Sequence, residues 1–423
     1  MTCFRPAILA LSLTACATGV QAQTHPIALD EQLTLAPIID VRARWEDVDA
    51  TSRTAHAESL RLRAGAELTH TPSHLSFLAE GTGTTHFGSG FSGFSYAAPS
   101  DQYRPDRATI ADGSAVALNR LQLRYATKPL TVTVGRQRLI LDDQRFVGNA
   151  PWRQTEQTFD AARLQTAFGP LVLDATHAIR QNTVNGGDGA PRAHLRGDFT
   201  FVTGGIVTKK AALKGFAYLL DYDSVFFLNQ PGARSQLDSS QTYGLRANGA
   251  LPLGHGVSLA LAGSVAWQSS YGRNPNAYAA TYSSIEPALT VGQHTLTLTR
   301  EVLGADAKAQ NGAWSFQTPL SSLHKFNGWA DMFLTTPANG LRDHSVSLTG
   351  KLPKISALPR VTYTVAHHWF DADLGGVHYG KEINASLAFS TKPINWLLKF
   401  AQYEARGFSA DTRKIWVQAE FVF

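Results

Sequence analysis

The sequence predicts an all-β fold: a single transmembrane antiparallel β-barrel of about 18 strands with both termini on the periplasmic side. Three observations predict it. Apolar and polar residues alternate with period 2 in segments of roughly ten residues. The connections between those segments alternate between short and long. Beyond the N-terminal leader no run of about 18 consecutive apolar residues occurs, so a membrane-spanning helix is not available. A bilayer-embedded chain without such helices satisfies its backbone only as a closed barrel.

The elements follow in chain order. Residues 1–22 read as a signal peptide, with Arg5 in the n-region, an apolar or small-residue run from Ala7 to Val20, and small-x-small Val20-Gln21-Ala22 before the cut. Leu13-Thr14-Ala15-Cys16 also resembles a lipobox. Ordinary cleavage is the expectation, because a barrel needs no lipid anchor. Both cysteines, Cys3 and Cys16, lie in this leader, so thiolate chemistry and disulfides drop out of the mature chain. The mature barrel domain is expected over 23–423.

The first strand is written in Ile39-Asp40-Val41-Arg42-Ala43-Arg44-Trp45-Glu46, where every second residue is apolar and the others are charged. The pattern returns in Leu60-Arg61-Leu62-Arg63-Ala64, Arg120-Leu121-Gln122-Leu123-Arg124-Tyr125, Tyr243-Gly244-Leu245-Arg246-Ala247 and Thr295-Leu296-Thr297-Leu298-Thr299. Expected strands lie at about 37–47, 58–69, 74–83, 118–126, 130–139, 156–167, 171–180, 197–208 and 213–222. The rest fall near 240–250, 256–268, 278–291, 294–303, 341–350, 360–371, 379–390, 394–404 and 413–423. Short connections include Thr127-Lys128-Pro129, Gly169-Pro170, Gly292-Gln293 and Thr391-Lys392-Pro393. Long ones, expected on the extracellular side, cover about 84–117, 140–155, 181–196, 223–239 and 304–340. Such alternation suits an even-stranded barrel, and a soluble sandwich gives no reason for it.

Trp45, Trp267 and Trp369 fall near outer strand ends, and Tyr125, Phe389 and Trp396 near inner ends, as two aromatic girdles require. The last segment, Lys414 to Phe423, alternates and ends on an aromatic residue. It resembles the C-terminal strand by which outer-membrane proteins are read by the barrel assembly machinery.

Composition narrows the function. The net charge of +5 favours anionic partners. Nucleic acid is not expected, because no basic run or RNA-binding signature accompanies that charge. No nucleophile motif, HExxH or Walker pattern occurs, and His324 and His367-His368 are isolated histidines, so neither an enzyme, a metal site nor a cofactor is expected.

Two longer blocks resemble the alginate export family of outer-membrane proteins. One runs from Gly135-Arg136-Gln137-Arg138 through Asp143-Gln144-Arg145-Phe146-Val147-Gly148-Asn149 and Trp152-Arg153-Gln154 to Gln157-Thr158-Phe159-Asp160. The other runs from Phe316-Gln317-Thr318-Pro319 through Leu323-His324-Lys325-Phe326-Asn327-Gly328-Trp329-Ala330-Asp331 to Leu334-Thr335-Thr336-Pro337. The opening Pro37-Ile38-Ile39-Asp40-Val41-Arg42 is also similar. The resemblance implies an 18-stranded monomeric barrel with an arginine-rich lumen that passes an anionic polysaccharide. Uptake of small anionic solutes by a porin is the alternative, and a plugged structural barrel a third reading.

Parity supplies the candidate residues. With Val41, Ala43 and Trp45 toward lipid, Asp40, Arg42, Arg44 and Glu46 face the lumen, as do Arg61, Arg63, Glu67, Arg120, Gln122, Arg124 and Arg246. A lipid-facing Arg would cost roughly 2–4 kcal/mol at mid-bilayer, which forces this placement. Guanidinium groups pair bidentately with carboxylates, so the set suits an anion path. The competing reading is a structural network closed by acids such as Glu80, Glu286, Glu301 and Glu382. Arg136 and Arg138 fall on the lipid side when counted from Leu130, unless Gly135 marks a bulge that resets the parity. The 140–155 and 304–340 segments are long enough for one or both to fold inward and narrow the pore.

Overall fold

Alternation is realised as strands almost wherever it is written. The computed structural model describes residues 26–94, 100–187, 192–223, 235–353 and 360–423. The expected leader, and parts of the 84–117, 181–196 and 223–239 connections, lie outside these residues. The strands are β1 (Leu33–Ala50), β2 (Arg53–His70), β3 (Leu75–Phe87), β4 (Ala115–Ala126), β5 (Leu130–Gln137) and β6 (Thr158–Phe168). Next come β7 (Leu171–Asn182), β8 (His194–Val207), β9 (Ala211–Tyr222), β10 (Ser240–Gly254), β11 (Val257–Ser270) and β12 (Ala279–Val291). The last are β13 (His294–Leu303), β14 (Leu341–Lys351), β15 (Thr362–Asp371), β16 (His378–Thr391), β17 (Ile394–Ala405) and β18 (Thr412–Val422).

Each strand pairs antiparallel with the next, and β18 pairs with β1 from Asp40↔Val422 to Ala50↔Thr412, closing an 18-strand barrel. Ile27–Ala28 folds back on the start of β1 as a short extra pairing. Closure removes the edge strands that an open sheet leaves in lipid.

The first two strands run well past their expected ends, joined by a tight turn at Thr51-Ser52. Their tips are stabilised from within: Val48, Ala55 and Ala57 bury against Phe91 and Ile110 of the following long connection. At the opposite rim, Leu33 to Ile38 pairs with β2 and, at Thr34 and Leu35, with Ile27–Ala28, because β18 stops at Val422.

Large apolar side chains are exposed all round the outer face, among them Leu62, Leu123, Leu245, Leu298 and Ile383. On a soluble protein so broad an apolar surface would be a liability; around a closed barrel it is the lipid-facing band. Trp267 and Trp369 are exposed toward the rim that carries the long connections, and Phe389 and Trp396 pair near the rim of short turns.

The inside is not hollow. Both long segments whose direction the sequence left open fold into the barrel, joined by a Val147↔Leu320 bridge and the Gly148 N–H to Leu320 carbonyl bond of 2.9 Å. Phe146 packs against Phe216, Tyr218, Tyr282 and Phe316, while Phe333 packs against Phe370, Tyr403 and Phe408. These contacts form one continuous core between the inserted loops and the wall.

Candidate functional site

The inner face of β1 and β2 carries four arginines in one patch, because β1 pairs Arg42 with Arg61 and Asp40 with Arg63. Inward parity thus brings Arg42, Arg44, Arg61 and Arg63 together, as the alternation demands. Their partners come from three other places. Glu420, inward on β18, accepts from Arg42 at 2.7 Å and from Arg61 at 3.1 Å. Asp40 also pairs with Arg61. Arg44 reaches Asp112 at 3.1 Å and donates to the Trp152 carbonyl at 2.6 Å. Arg63 lies 3.6 Å from Glu156.

Glu156 is the hub that ties the 138–157 loop to this wall. It accepts from Arg138 at 2.6 Å, Asn119 at 2.6 Å and Asn149 at 2.6 Å. Burial opposes its charge, but Arg138 and Arg63 hold the carboxyl well below the usual carboxylate range. Glu80 accepts from Arg120 at 2.6 Å, so that pair is also internal to the wall.

Both inserted loops are anchored to other strands of the wall in the same manner. Arg145 donates to Glu301 from Nε at 2.6 Å and Nη2 at 3.2 Å, and to Asn327 at 3.0 Å. Glu382 accepts the Trp329 and Ala330 amides at 2.5 and 2.8 Å. Where the two loops meet, the His324 ring stacks on Trp152 at 4.3 Å between centroids. Lys399 lies over Trp152 and Trp329 at 4.2 and 3.9 Å, with its Nζ 2.6 Å from His324 Nε2. Burial pushes the His324 imidazole down to about 3, an effect that Asp331 on its other nitrogen only partly offsets.

The remaining candidates are dispersed. Arg246 pairs with Asp143 at 2.9 Å, on the far side of the barrel. Arg124 and Glu67 lie on the inner face toward the short-turn rim, away from the patch. Gly135 does not reset the parity: β5 keeps register with β4 and β6 through it, although its φ is +114°. Arg136 therefore keeps its outward parity and is satisfied in the plane of the wall, where it pairs with Asp160 at 2.7 Å. Arg138 lies beyond the end of β5 and turns inward to Glu156.

Sequence reasoning missed Asp112, Glu156, Asp331, Trp152 and Lys399 as members of this centre. All but Lys399 sit in loops, where no periodicity assigns a face. Glu420 was legible, since it shares the inward phase of Lys414, Trp416 and Gln418 in the final strand.

Residues 40–180 match the sequence profile of the alginate export family, described as alginate export. No curated protein matches the chain. Among solved structures the fold is similar to OpdK of Pseudomonas aeruginosa bound to vanillate, with a TM-score of 0.68 at 14% identity over 92% of this chain and 98% of that one. It is also similar to OpdL of the same organism, with a TM-score of 0.64 at 16% identity over 92% and 98%. OccK8 (OprE), also from Pseudomonas aeruginosa, gives 0.67 at 13% identity over the same shares. These identities speak to fold. The barrel, its lipid-facing band and the family match over 40–180 are those of a porin-like barrel of the bacterial outer membrane.

Proposed function

We propose that this outer-membrane barrel is a channel for anionic, carboxylate-bearing solutes. The observation that carries the reading is the contiguous guanidinium patch of Arg42, Arg44, Arg61 and Arg63, set against an inserted loop. Guanidinium groups keep their charge at any working pH and bind carboxylates through a two-pronged fork. In the resting protein Asp40, Glu420, Asp112 and Glu156 occupy those forks. The patch is buried, with Arg61 at 0% and Arg44 at 3% exposure, so a solute carboxylate reaches it by exchanging with these internal acids, and Arg61 Nε and Nη1 and Arg63 Nε are left to receive it. The two inserted loops narrow the route, which favours small solutes. An alginate-like polyuronate is the second reading, favoured by the family match over 40–180.

On this reading residues 1–22 are removed, both termini lie in the periplasm, and the long connections face the outside of the cell. The barrel acts as a monomer after insertion by the assembly machinery. Planar-bilayer recordings with added blockers test the reading. Carboxylated sugars and small organic carboxylates should shorten open dwell times, and neutral sugars of equal size should not. Block that grows with uronate chain length would favour the polymer. Equal block by neutral sugars would refute anion recognition altogether.

A further inference from the structure

The barrel wall is interrupted beside β4. The pairing of β4 with β5 covers only Leu121–Ala126 against Arg136–Thr131, because β5 ends at Gln137. Ala115 to Arg120 stays paired with β3 but, among the described residues, has no strand on its other side. The next wall is formed by the tops of β6 and β7, where Thr158 pairs with Asn182. Above the gap, the segment leaving β7 crosses back to β4. A Cβ on Gly187 would meet the Val116 carbonyl at 2.1 Å, and one on Gly186 would meet Ala115 Cβ at 2.3 Å, so only glycine allows this lintel.

The frame encloses a cavity of about 240 Å³ that is lined from both faces of the barrel. Val116 and Leu118 face outward, 82% and 44% exposed, whereas Thr82, Asn119 and Glu156 are buried on the inner side. The lining thus includes residues of both faces at the break in the wall. Arg136 forms its sill, donating to the otherwise open β4 edge at the Leu118 carbonyl, 3.1 Å away. Thr82 Oγ1 is buried without a hydrogen-bond partner. Irregular backbone at membrane depth is tolerated where it lines a polar cavity, and an empty apolar gap at this place would be costly.

The geometry points to a lateral window that seats the head of an outer-leaflet glycolipid, with its alkyl chain in the bilayer. The charges at the window are already matched, Arg136 by Asp160 and Glu156 by Arg138. What remains for a ligand is neutral: the hydroxyls of Thr82, Thr155 and Thr158 and the amide oxygen of Asn182, whose nitrogen already donates to Asp160 at 3.1 Å. Hydroxyls and amides suit a saccharide head rather than a phosphate. Val116 and Leu118 at the outer lip suit a tail.

Residues 26–423 contain no cysteine, so one introduced thiol is a unique label. Ala117→Cys places it in the window, and Ser347→Cys places it on the inner face of β14, which is paired on both sides. In vesicles, a bimane label at position 117 should be quenched several-fold more than one at 347 by a nitroxide carried on a lipid chain. Equal, weak quenching at both positions would mean an intact wall and overturn the window. An alkyl maltoside in the bilayer should then slow thiol labelling of Ala117→Cys, while maltose in solution and an alkyl phosphocholine of equal chain length should not. No protection by the maltoside, or equal protection by the phosphocholine, would overturn the glycolipid. Thr158→Cys, on the opposite jamb, gives the same two readings if Ala117→Cys fails to assemble.

Discussion

Arg145 ties the first inserted loop to β13 and to the second loop. It is almost fully buried, and its fork matches both oxygens of Glu301 while reaching Asn327 and Thr318. Removing one partner of a buried pair strands the other, so Arg145→Met should destabilise the barrel by about 3–5 kcal/mol in urea unfolding from lipid vesicles. Arg145→Lys should recover only part of this, since an ammonium does not reproduce the fork. Full recovery by Lys would mean that charge alone matters. His324 makes a pH prediction. Its folded pKa, about 3, lies below the ordinary value of 6.5, so between those values the unfolded chain takes up a proton that the folded one refuses. Stability from this group is therefore complete above pH 6.5 and falls as pH drops, by about 2 kcal/mol at pH 5. Parent and His324→Gln should differ in that slope in unfolding titrations at pH 7 and pH 5; equal slopes would count against the buried neutral imidazole. At this scale the sequence was half legible. Strand arginines follow parity, whereas Arg145 and Glu156 owe their places to loop contacts that no local pattern encodes.

Strands were the most readable element, because a one-residue slip would turn Asp40, Arg42, Arg44 and Glu46 of β1, or Arg61 and Arg63 of β2, toward lipid. That energetic penalty is what makes the alternation a reliable guide. The departures have local causes: β1 and β2 lengthen where the 88–114 connection covers their tips, and β5 stops early where the chain dives inward. Phe423 tests the final strand. Its amide donates to the Ile39 carbonyl at 2.9 Å, but its side chain is half exposed at the rim. Deleting it removes little native packing, so the expected defect is in assembly, seen as loss of heat-modifiable barrel from the outer membrane. Normal accumulation would show that the terminal Phe is not a recognition signal. The connections test orientation. Epitope tags within 181–196 and 223–239 should be reached by antibody on intact cells, and tags at Lys128 or Lys392 should not. The opposite labelling pattern would invert the barrel.

The whole molecule joins a wall that alternation specifies to a lumen filling that it does not. Closure and the lipid-facing band follow from period-2 patterning, but the lumen is occupied by loops whose acids Asp112, Glu156 and Asp143 pair with Arg44, Arg63 and Arg246, while the strand acids Glu420, Asp40 and Glu80 pair with Arg42, Arg61 and Arg120. The anion path and the structural network are thus the same residues in one arrangement, and they differ in what a passing ion meets. Charge in a narrow, partly dry channel acts over about 8–10 Å at physiological ionic strength, so the patch on β1 and β2 should govern permeation only where the loops narrow the route. Replacing Arg61 and Arg63 with Gln leaves Asp40 and Glu420 less compensated and should turn the local field toward cations. The direct measurement is the reversal potential across a salt gradient at low ionic strength, for the parent and the Arg61→Gln/Arg63→Gln double variant. An anion channel requires an anion-selective parent whose preference fades as salt rises, and a variant shifted toward cations. A cation-selective parent, or a variant indistinguishable from it, would contradict the anion channel and leave the arginines as struts.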